Sequence, residues 1–500
     1  MKRRRTIHAG SGPPISRQHP RQGAHHVRKA LTVLFALAVW TAAAVPGLAD
    51  TQVRIAGDSY VFGLFFANRN FTGWDETGKR TEDRFSIWQR LRVRADFEAN
   101  ENLKFRLGLR LDDEAWGTGY LTDANPKVAI QPYLAYLQYK WPGTNISITA
   151  GYQPFSVPHT EVFYDSIVLA ADDGDQASAA LFISIPVVED VFAVEAAYAR
   201  LLAANKTYQP TTTQTGDAFD VYRLALPVTV AGLEAKPWGL VGVFGQDADP
   251  EGHFDKGLRS AGSYLDPTGY RNNQNALWWA GLALTVSSLD PVKFSFDGIY
   301  GDAAPSDRQR NRRRGYFFDA GVTYTGLDWA MPGLFGWLAS GEDASLGNGS
   351  ERLPVMTPKW GPGTSFLFDC DQEFSNNSMG VDPTGTWGLA ASLREIGFIE
   401  ALRSRLTFAA IAGRNSPAGL RQAVTVSSGE YVAMGRNLAQ GEWLLGVNFD
   451  HTYSLSEELK LTMQTGFASP QGLQTSIWGH RLTNRAADAW MGSLGLLYTF

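Results

Sequence analysis

The chain has 500 residues, a formal net charge of −5, 44% hydrophobic and 19% charged residues, and a single cysteine. Its 12% aromatic content is too high for a disordered chain. One cysteine excludes an intramolecular disulfide framework and a cysteine-based zinc site.

Residues 1–49 differ from the rest. They hold eight basic residues (Lys2, Arg3, Arg4, Arg5, Arg17, Arg21, Arg28, Lys29) and no acidic one. An apolar run, Ala30 to Val45, follows Arg28-Lys29 and is broken by Pro46; Gly47-Leu48-Ala49 then offers small residues where a signal peptidase reads. The run falls short of the ~20 residues of a membrane helix. The segment reads as a cleaved export signal, with a start at Val27 giving one of ordinary length, and residues 50–500 as one domain. Without the signal, 45 − 8 = 37 basic residues face 50 acidic ones, a net charge of −13, which argues against nucleic acid as a partner.

From Phe85 onward, period-two alternation recurs. Ile87, Leu91, Val93, Ala95 and Phe97 share one face; Trp88, Arg90, Arg92, Arg94, Asp96 and Glu98 share the other. After Asn100-Glu101-Asn102, Leu103, Phe105, Leu107, Leu109 and Leu111 alternate with Lys104, Arg106, Gly108, Arg110 and Asp112. The same pattern returns over 292–297, 443–450 and 459–464. Strands of ten or more residues exceed the ~5–6 usual in soluble sheets and match a tilted membrane crossing.

The connections alternate in length. Short turns fall near 100–102, 141–144, 187–190, 231–236, 288–291, 326–332, 397–403 and 455–458. Long loops fall near 69–84, 117–127, 154–176, 205–217, 247–274, 304–314, 342–385, 416–441 and 471–486. Eight short turns and nine long loops predict eighteen strands, with sixteen as the competing count. The fold class is all-β: a transmembrane antiparallel barrel with short periplasmic turns and long external loops. Aromatics near strand ends (Tyr139, Trp141, Trp238, Trp278, Trp279, Trp329, Trp387, Trp443, Trp490, Tyr498) are expected in interfacial girdles.

Charged residues on the polar face define the candidate site. Arg on the lipid face would cost ~2–4 kcal/mol near the midplane. Arg90, Arg92, Arg94, Arg106 and Arg110 are therefore expected to form a basic wall in the lumen, with Arg223, Arg394 and Arg405 on later strands. The 154–176 loop carries Glu161, Asp165, Asp172, Asp173 and Asp175, which would face that wall if the loop folds inward. Asp172-Asp173-Gly174-Asp175 does not match an EF-hand loop, and no metal site is assigned. Arg308, Arg310, Arg312, Arg313 and Arg314 form a basic external loop suited to lipopolysaccharide phosphates. Cys370, between Asp369 and Asp371, lies in the longest loop.

No HExxH, Walker or GxSxG motif occurs, and no spacing selects a serine partner for His451, so neither catalytic residues nor a cofactor is assigned. Leu494, Leu496, Tyr498 and Phe500 share one face; Tyr498 and Phe500 resemble the signature read by the barrel assembly machinery. The whole pattern resembles a Gram-negative porin. Val53-Arg54-Ile55-Ala56-Gly57, the Arg90-Leu91-Arg92-Val93-Arg94 ladder and Gly151-Tyr152-Gln153-Pro154-Phe155-Ser156 are similar to the homotrimeric porins of sulfate-reducing, Desulfovibrio-type bacteria. That resemblance implies a homotrimer in the outer membrane and passive diffusion of small hydrophilic solutes and ions. A channel specific for a sugar or an organic anion, and a plugged structural or adhesive barrel, are the alternatives.

Overall fold

Alternating residues serve two surroundings at once only when a sheet separates them. The computed structural model describes residues 51–74, 84–116, 130–160, 165–170, 177–203, 218–245, 255–262, 276–304, 308–362, 366–368, 374, 379–427 and 431–500. The expected signal and Cys370 lie outside these residues.

The unit Thr51–Phe500 is built on nineteen strands: β1 Gln52–Ala67, β2 Arg84–Asn100, β3 Leu103–Ala115, β4 Ile130–Lys140, β5 Ser147–Pro154, β6 Ala177–Val188, β7 Phe192–Ala203, β8 Ala218–Ala225, β9 Val228–Val230 and β10 Leu233–Phe244. They continue as β11 Ala276–Leu289, β12 Val292–Ala303, β13 Arg313–Tyr324, β14 Met331–Ala339, β15 Thr386–Ile399, β16 Leu402–Gly413, β17 Trp443–Ser454, β18 Leu459–Gln471 and β19 Ala489–Thr499. Strands β8 and β9 are one crossing. Both pair with β7 and with β10, and the break falls at Leu226-Pro227, where proline lacks the N–H that a ladder needs. The barrel thus has eighteen crossings, which decides against sixteen.

Every ladder is antiparallel, and β1 pairs with both β2 and β19, so the sheet closes and has no edge. At the seam, Gly57 N–H donates to Phe500 O (2.8 Å) and Phe500 N–H donates to Gly57 O (3.0 Å). A Cβ at Gly57 would stand 2.4 Å from Arg92 O, so this crossing of chains requires glycine.

The outward face is apolar. Val53, Ile55, Phe65, Leu91, Leu137, Leu181, Leu224, Leu334, Leu389, Phe408, Leu445 and Leu494 are all exposed on it. So large an apolar surface is stable only in hydrocarbon. Among the described residues no helix is long and apolar enough to cross a membrane; the strands do so.

The expected girdle needs one correction. Trp141, Trp278, Trp329, Trp387, Trp443, Trp490 and Tyr498 are exposed, but Trp238 and Trp279 are buried on the inner face. Adjacent residues in a strand point to opposite sides, so Trp278 and Trp279 cannot share the lipid face. Trp279 instead donates its indole N–H to Pro354 O (2.9 Å) in the β14–β15 loop.

Candidate functional site

Register fixes which side chains meet. Arg94, Arg92 and Arg90 on β2 lie opposite Ala56, Asp58 and Tyr60 on β1, the face on which Tyr60 and Phe62 are buried. On β3, Arg106 lies opposite Asp96, and Arg110 lies opposite Arg92. The five predicted arginines therefore share the interior face, midway along β2 and β3.

Their partners are on the wall itself. Arg92 Nε donates to both oxygens of Asp58 (3.1 and 2.9 Å), and an Arg90 Nη stands 3.6 Å from the same carboxylate. Arg90 also lies 4.3 Å over the Tyr60 ring. Arg106 grips Asp96 with a two-pronged fork (2.6 and 2.7 Å) and donates to the Tyr136 hydroxyl (3.3 Å), while Lys104 reaches Asp96 at 3.4 Å. Asp58, Asp96 and Glu98 thus face Arg90, Arg92, Arg94, Lys104, Arg106 and Arg110, and among the described side chains the wall is net positive. Directly opposed like charges such as Arg92 and Arg110 destabilise a strand pair.

Asp96 was legible in advance: it is as far from the 100–102 turn as Arg106, so a hairpin must pair them. Asp58 and Tyr60 required the β1–β2 register, which crosses a long loop.

Arg223, Arg394 and Arg405 also face inward but stand apart from this wall. Arg223 meets Glu195 (3.3 Å), donates to Ser156 O (2.7 Å) and lies 5.0 Å over Phe182, so it clamps the start of the β5–β6 loop. Arg394 donates to Thr323 Oγ1 (3.2 Å), and Arg405 to Asp450 (2.9 Å).

The β5–β6 loop turns into the barrel. Phe155, Val157, Ile167, Val168 and Leu169 are buried. Thr160 donates its backbone N–H (3.1 Å) and its hydroxyl to Asp297 of β12, six crossings away. Asp319 of β13, opposite Asp297, accepts from the Asp297 N–H (3.2 Å) and from Trp360 Nε1 (2.6 Å). The β14–β15 loop runs beside it: Met356 N–H donates to Val168 O (2.8 Å), Ala170 N–H to Thr357 O (3.0 Å) and Lys359 N–H to Ser166 O (3.0 Å). Of the predicted loop carboxylates, Asp165 is buried, accepts the Ser166 N–H (2.7 Å) and lies 3.7 Å from His159 Nδ1. Glu161, Asp172, Asp173 and Asp175 lie outside the described residues.

The β14–β15 loop also drives an aromatic wedge into the lumen. Phe374 stacks on Phe62 (4.4 Å between centroids), and Trp360 packs edge-on against Phe317, Trp337 and Phe368 (4.9, 5.2 and 5.4 Å). Inward glycines make the seat: a Cβ at Gly446 would come within 2.4 Å of Leu367. As a result, the inner faces of β12, β13, β18 and most of β17 are buried, whereas the inward residues of β2 from Ser86 to Glu98 stay half-buried. Open lumen therefore lies along the arginine wall. A cavity of about 420 Å³ lined by Glu98, Asn100, Lys104, Gln138 and Thr149 opens at its short-turn end.

A buried polar network fixes the other end. Arg352 pairs with Asp382 and donates to Thr384 Oγ1 (3.1 Å), and Tyr431 donates to Glu342 (3.0 Å). Burial pushes the Asp382 carboxyl up, but Arg352, Arg313 and Arg436 outweigh it and hold it below its ordinary 3.8. Burial and Glu342 push the Tyr431 phenol up to about 12. Arg313 is not part of a basic surface loop as expected. It is buried and donates to Leu353 O (2.9 Å), because β13 begins there and turns its side chain inward.

On the outward face, Ser404 Oγ lies 2.8 Å from His451 Nδ1, opposite it in register. Each supplies the other's hydrogen bond where hydrocarbon offers none.

No protein-family model and no curated protein matches the chain. Solved structures similar to it include three proteins of Pseudomonas aeruginosa. OccK11 (OpdR) is 10% identical, with 91% of this chain and 96% of that chain covered and a TM-score of 0.49. OccK8 (OprE) is 10% identical over 91% and 99%, with a TM-score of 0.49. OccK5 (OpdH) is 11% identical over 91% and 99%, with a TM-score of 0.49.

Proposed function

We propose that this chain is an outer-membrane channel through which small hydrophilic solutes and ions diffuse passively, and that the arginine wall of β2 and β3 favours anions. The observation that carries the reading is the asymmetry of the interior. Two loops bury the inner faces of β12, β13, β18 and most of β17, whereas the β2 face stays half-buried and net positive. A solute is thus confined to a lane beside guanidinium groups, which attract and orient carboxylates or phosphates. Fixed charges also keep a narrow lane wet. Arrangement as a homotrimer, export by the 1–49 segment and likeness to the porins of sulfate reducers belong to the same proposal.

Single-channel recording in a planar bilayer under a potassium chloride gradient tests it. Open steps with an anion-selective reversal potential are expected, and loss of conductance in threes if the protein is a trimer. The aromatic wedge favours a second reading, a barrel sealed by its own loop. Correctly folded protein that passes no current would select that one.

A further inference from the structure

The cavity of about 420 Å³ at the short-turn end of the arginine wall has a polar lining laid out by register. One row runs Glu98, Lys104, Gln138 and Thr149 across β2–β5. Nearer the rim, Lys140 lies opposite Ser147, and Lys140 N–H donates to Asn102 O (2.8 Å), with Glu101 of the β2–β3 turn next along the chain. Gln138 and Lys140 follow the inward Tyr136 by alternation. Part of this lining is already engaged. Glu98 lies 3.3 Å from Arg54, and Lys104 reaches Asp96 at 3.4 Å. Glu101 and Lys140 are exposed, and among the described residues neither has an ion-pair partner. The side chains of Gln138, Ser147 and Thr149 likewise make no hydrogen bond among the described residues. What stays open is one carboxylate, one ammonium group and three neutral hydrogen-bonding groups around one cavity.

A cavity of this size falls within the range of small-molecule sites, ~300–1,000 Å³. A simple anion is a poor match, because Glu98 and Glu101 line the cavity beside Lys104 and Lys140. A simple cation meets the same balance. We propose that the cavity binds a short zwitterionic peptide. Its carboxylate meets Lys140, its ammonium group meets Glu101, and Gln138, Ser147 and Thr149 bond the amide that joins them. Hydrogen bonds to charged groups are the stronger kind and fix which way round the solute lies. The amide leaves water at little cost only where side chains replace its lost bonds, which the three neutral groups do. The inference rests on the channel reading, in which solutes pass this cavity at the short-turn mouth.

The test uses the full barrel in detergent. It is titrated separately with glycylglycine, with N-acetyl-glycylglycine, which lacks the ammonium group, and with glycylglycine amide, which lacks the carboxylate. Binding is read by saturation-transfer NMR, and bilayer conductance is recorded on the same preparation. Glycylglycine should bind, and each blocked form should bind about fivefold more weakly, the scale of one exposed charge pair. Lys140→Gln should weaken glycylglycine by a similar factor and leave the amide unaffected; Glu101→Gln should do the same and leave the acetylated form unaffected. Lys236→Gln, on β10 at the same end, should change nothing. The three peptides discriminate on the unsubstituted protein, so the test stands even if a variant misfolds. Blocked forms that bind as well as glycylglycine overturn the proposal. So does glycylglycine binding indifferent to both substitutions, or none at all. Conductance that persists while peptide binding fails removes the cavity site alone; peptide binding to a folded barrel that passes no current keeps the site and removes the channel reading.

Discussion

Gly466 of β18 and Phe366 of the β14–β15 loop compete for one volume: a Cβ on the glycine would stand 2.4 Å from Phe366 Cβ. The loop's wedge is thus seated by the absence of side chains on the wall. Gly466→Val should overpack this seat at a cost of about 1–3 kcal/mol and displace the wedge. Single-channel conductance should rise, and Phe366→Ala with Phe374→Ala should raise it further. Conductance unchanged in both variants would mean that the wedge does not border the conducting lane.

On the proposed reading the arginine wall sets the sign of selectivity. Replacing Arg90, Arg92 and Arg94 together with glutamine leaves Asp58, Asp96 and Glu98 facing Lys104, Arg106 and Arg110. The reversal potential under a potassium chloride gradient should move toward cations, and more strongly at low salt, where screening is weaker. A potential that stays put would take these residues out of the ion path.

Thr160 ties the β5–β6 loop to Asp297 through its N–H and its hydroxyl. Thr160→Val keeps the shape and removes the hydroxyl bond, costing about 1–3 kcal/mol because the buried carboxylate loses a donor. Open-channel current noise should increase as the loop loosens, with selectivity unchanged. A quiet channel in this variant would show that the backbone bond alone holds the loop.

Acid should loosen the long-loop end. The Asp382 carboxyl is held below its ordinary 3.8. The folded state therefore binds this proton more weakly than the unfolded chain does. The resulting stability is present above about pH 4 and is lost as pH falls through the depressed value. Hydrogen exchange in peptides from 342–362 and 431–442 should accelerate below that pH. Asp382→Asn should accelerate it at neutral pH as well, since an Arg352 left without its carboxylate costs about 3–5 kcal/mol.

Much of the barrel was legible because alternation and turn length are local. The rhythm of short and long connections gave all eighteen crossings, and the row Arg90, Arg92, Arg94 revealed its face by spacing alone. The inward course of the loops was harder to read. Phe366-Leu367-Phe368 is an apolar run inside a long loop, a sign that the loop packs somewhere, but its seat is built from Gly446 and Gly466, some 80 and 100 positions later. Trp238 and Trp279 were misplaced for the same reason: an aromatic near a strand end suits a girdle or a loop contact equally well until its face is fixed. Asp297 and Asp319 gain their importance only from Thr160 and Trp360, which reach them from distant loops.

The seam between Gly57 and Phe500 carries a consequence for the order of assembly. Residues 58–67 find their second neighbour in 490–499, so β1 keeps a row of bare amide groups until β19 has been delivered. Hydrocarbon tolerates no such row. Insertion cannot therefore proceed strand by strand into lipid unaided. Either the nearly finished sheet curls shut before it meets the membrane interior, or another edge must stand in for β19 while the chain waits. A contact spanning over 400 positions is also the slowest kind to form. Ring closure, more than any single strand, is then the step at which biogenesis of this protein should stall.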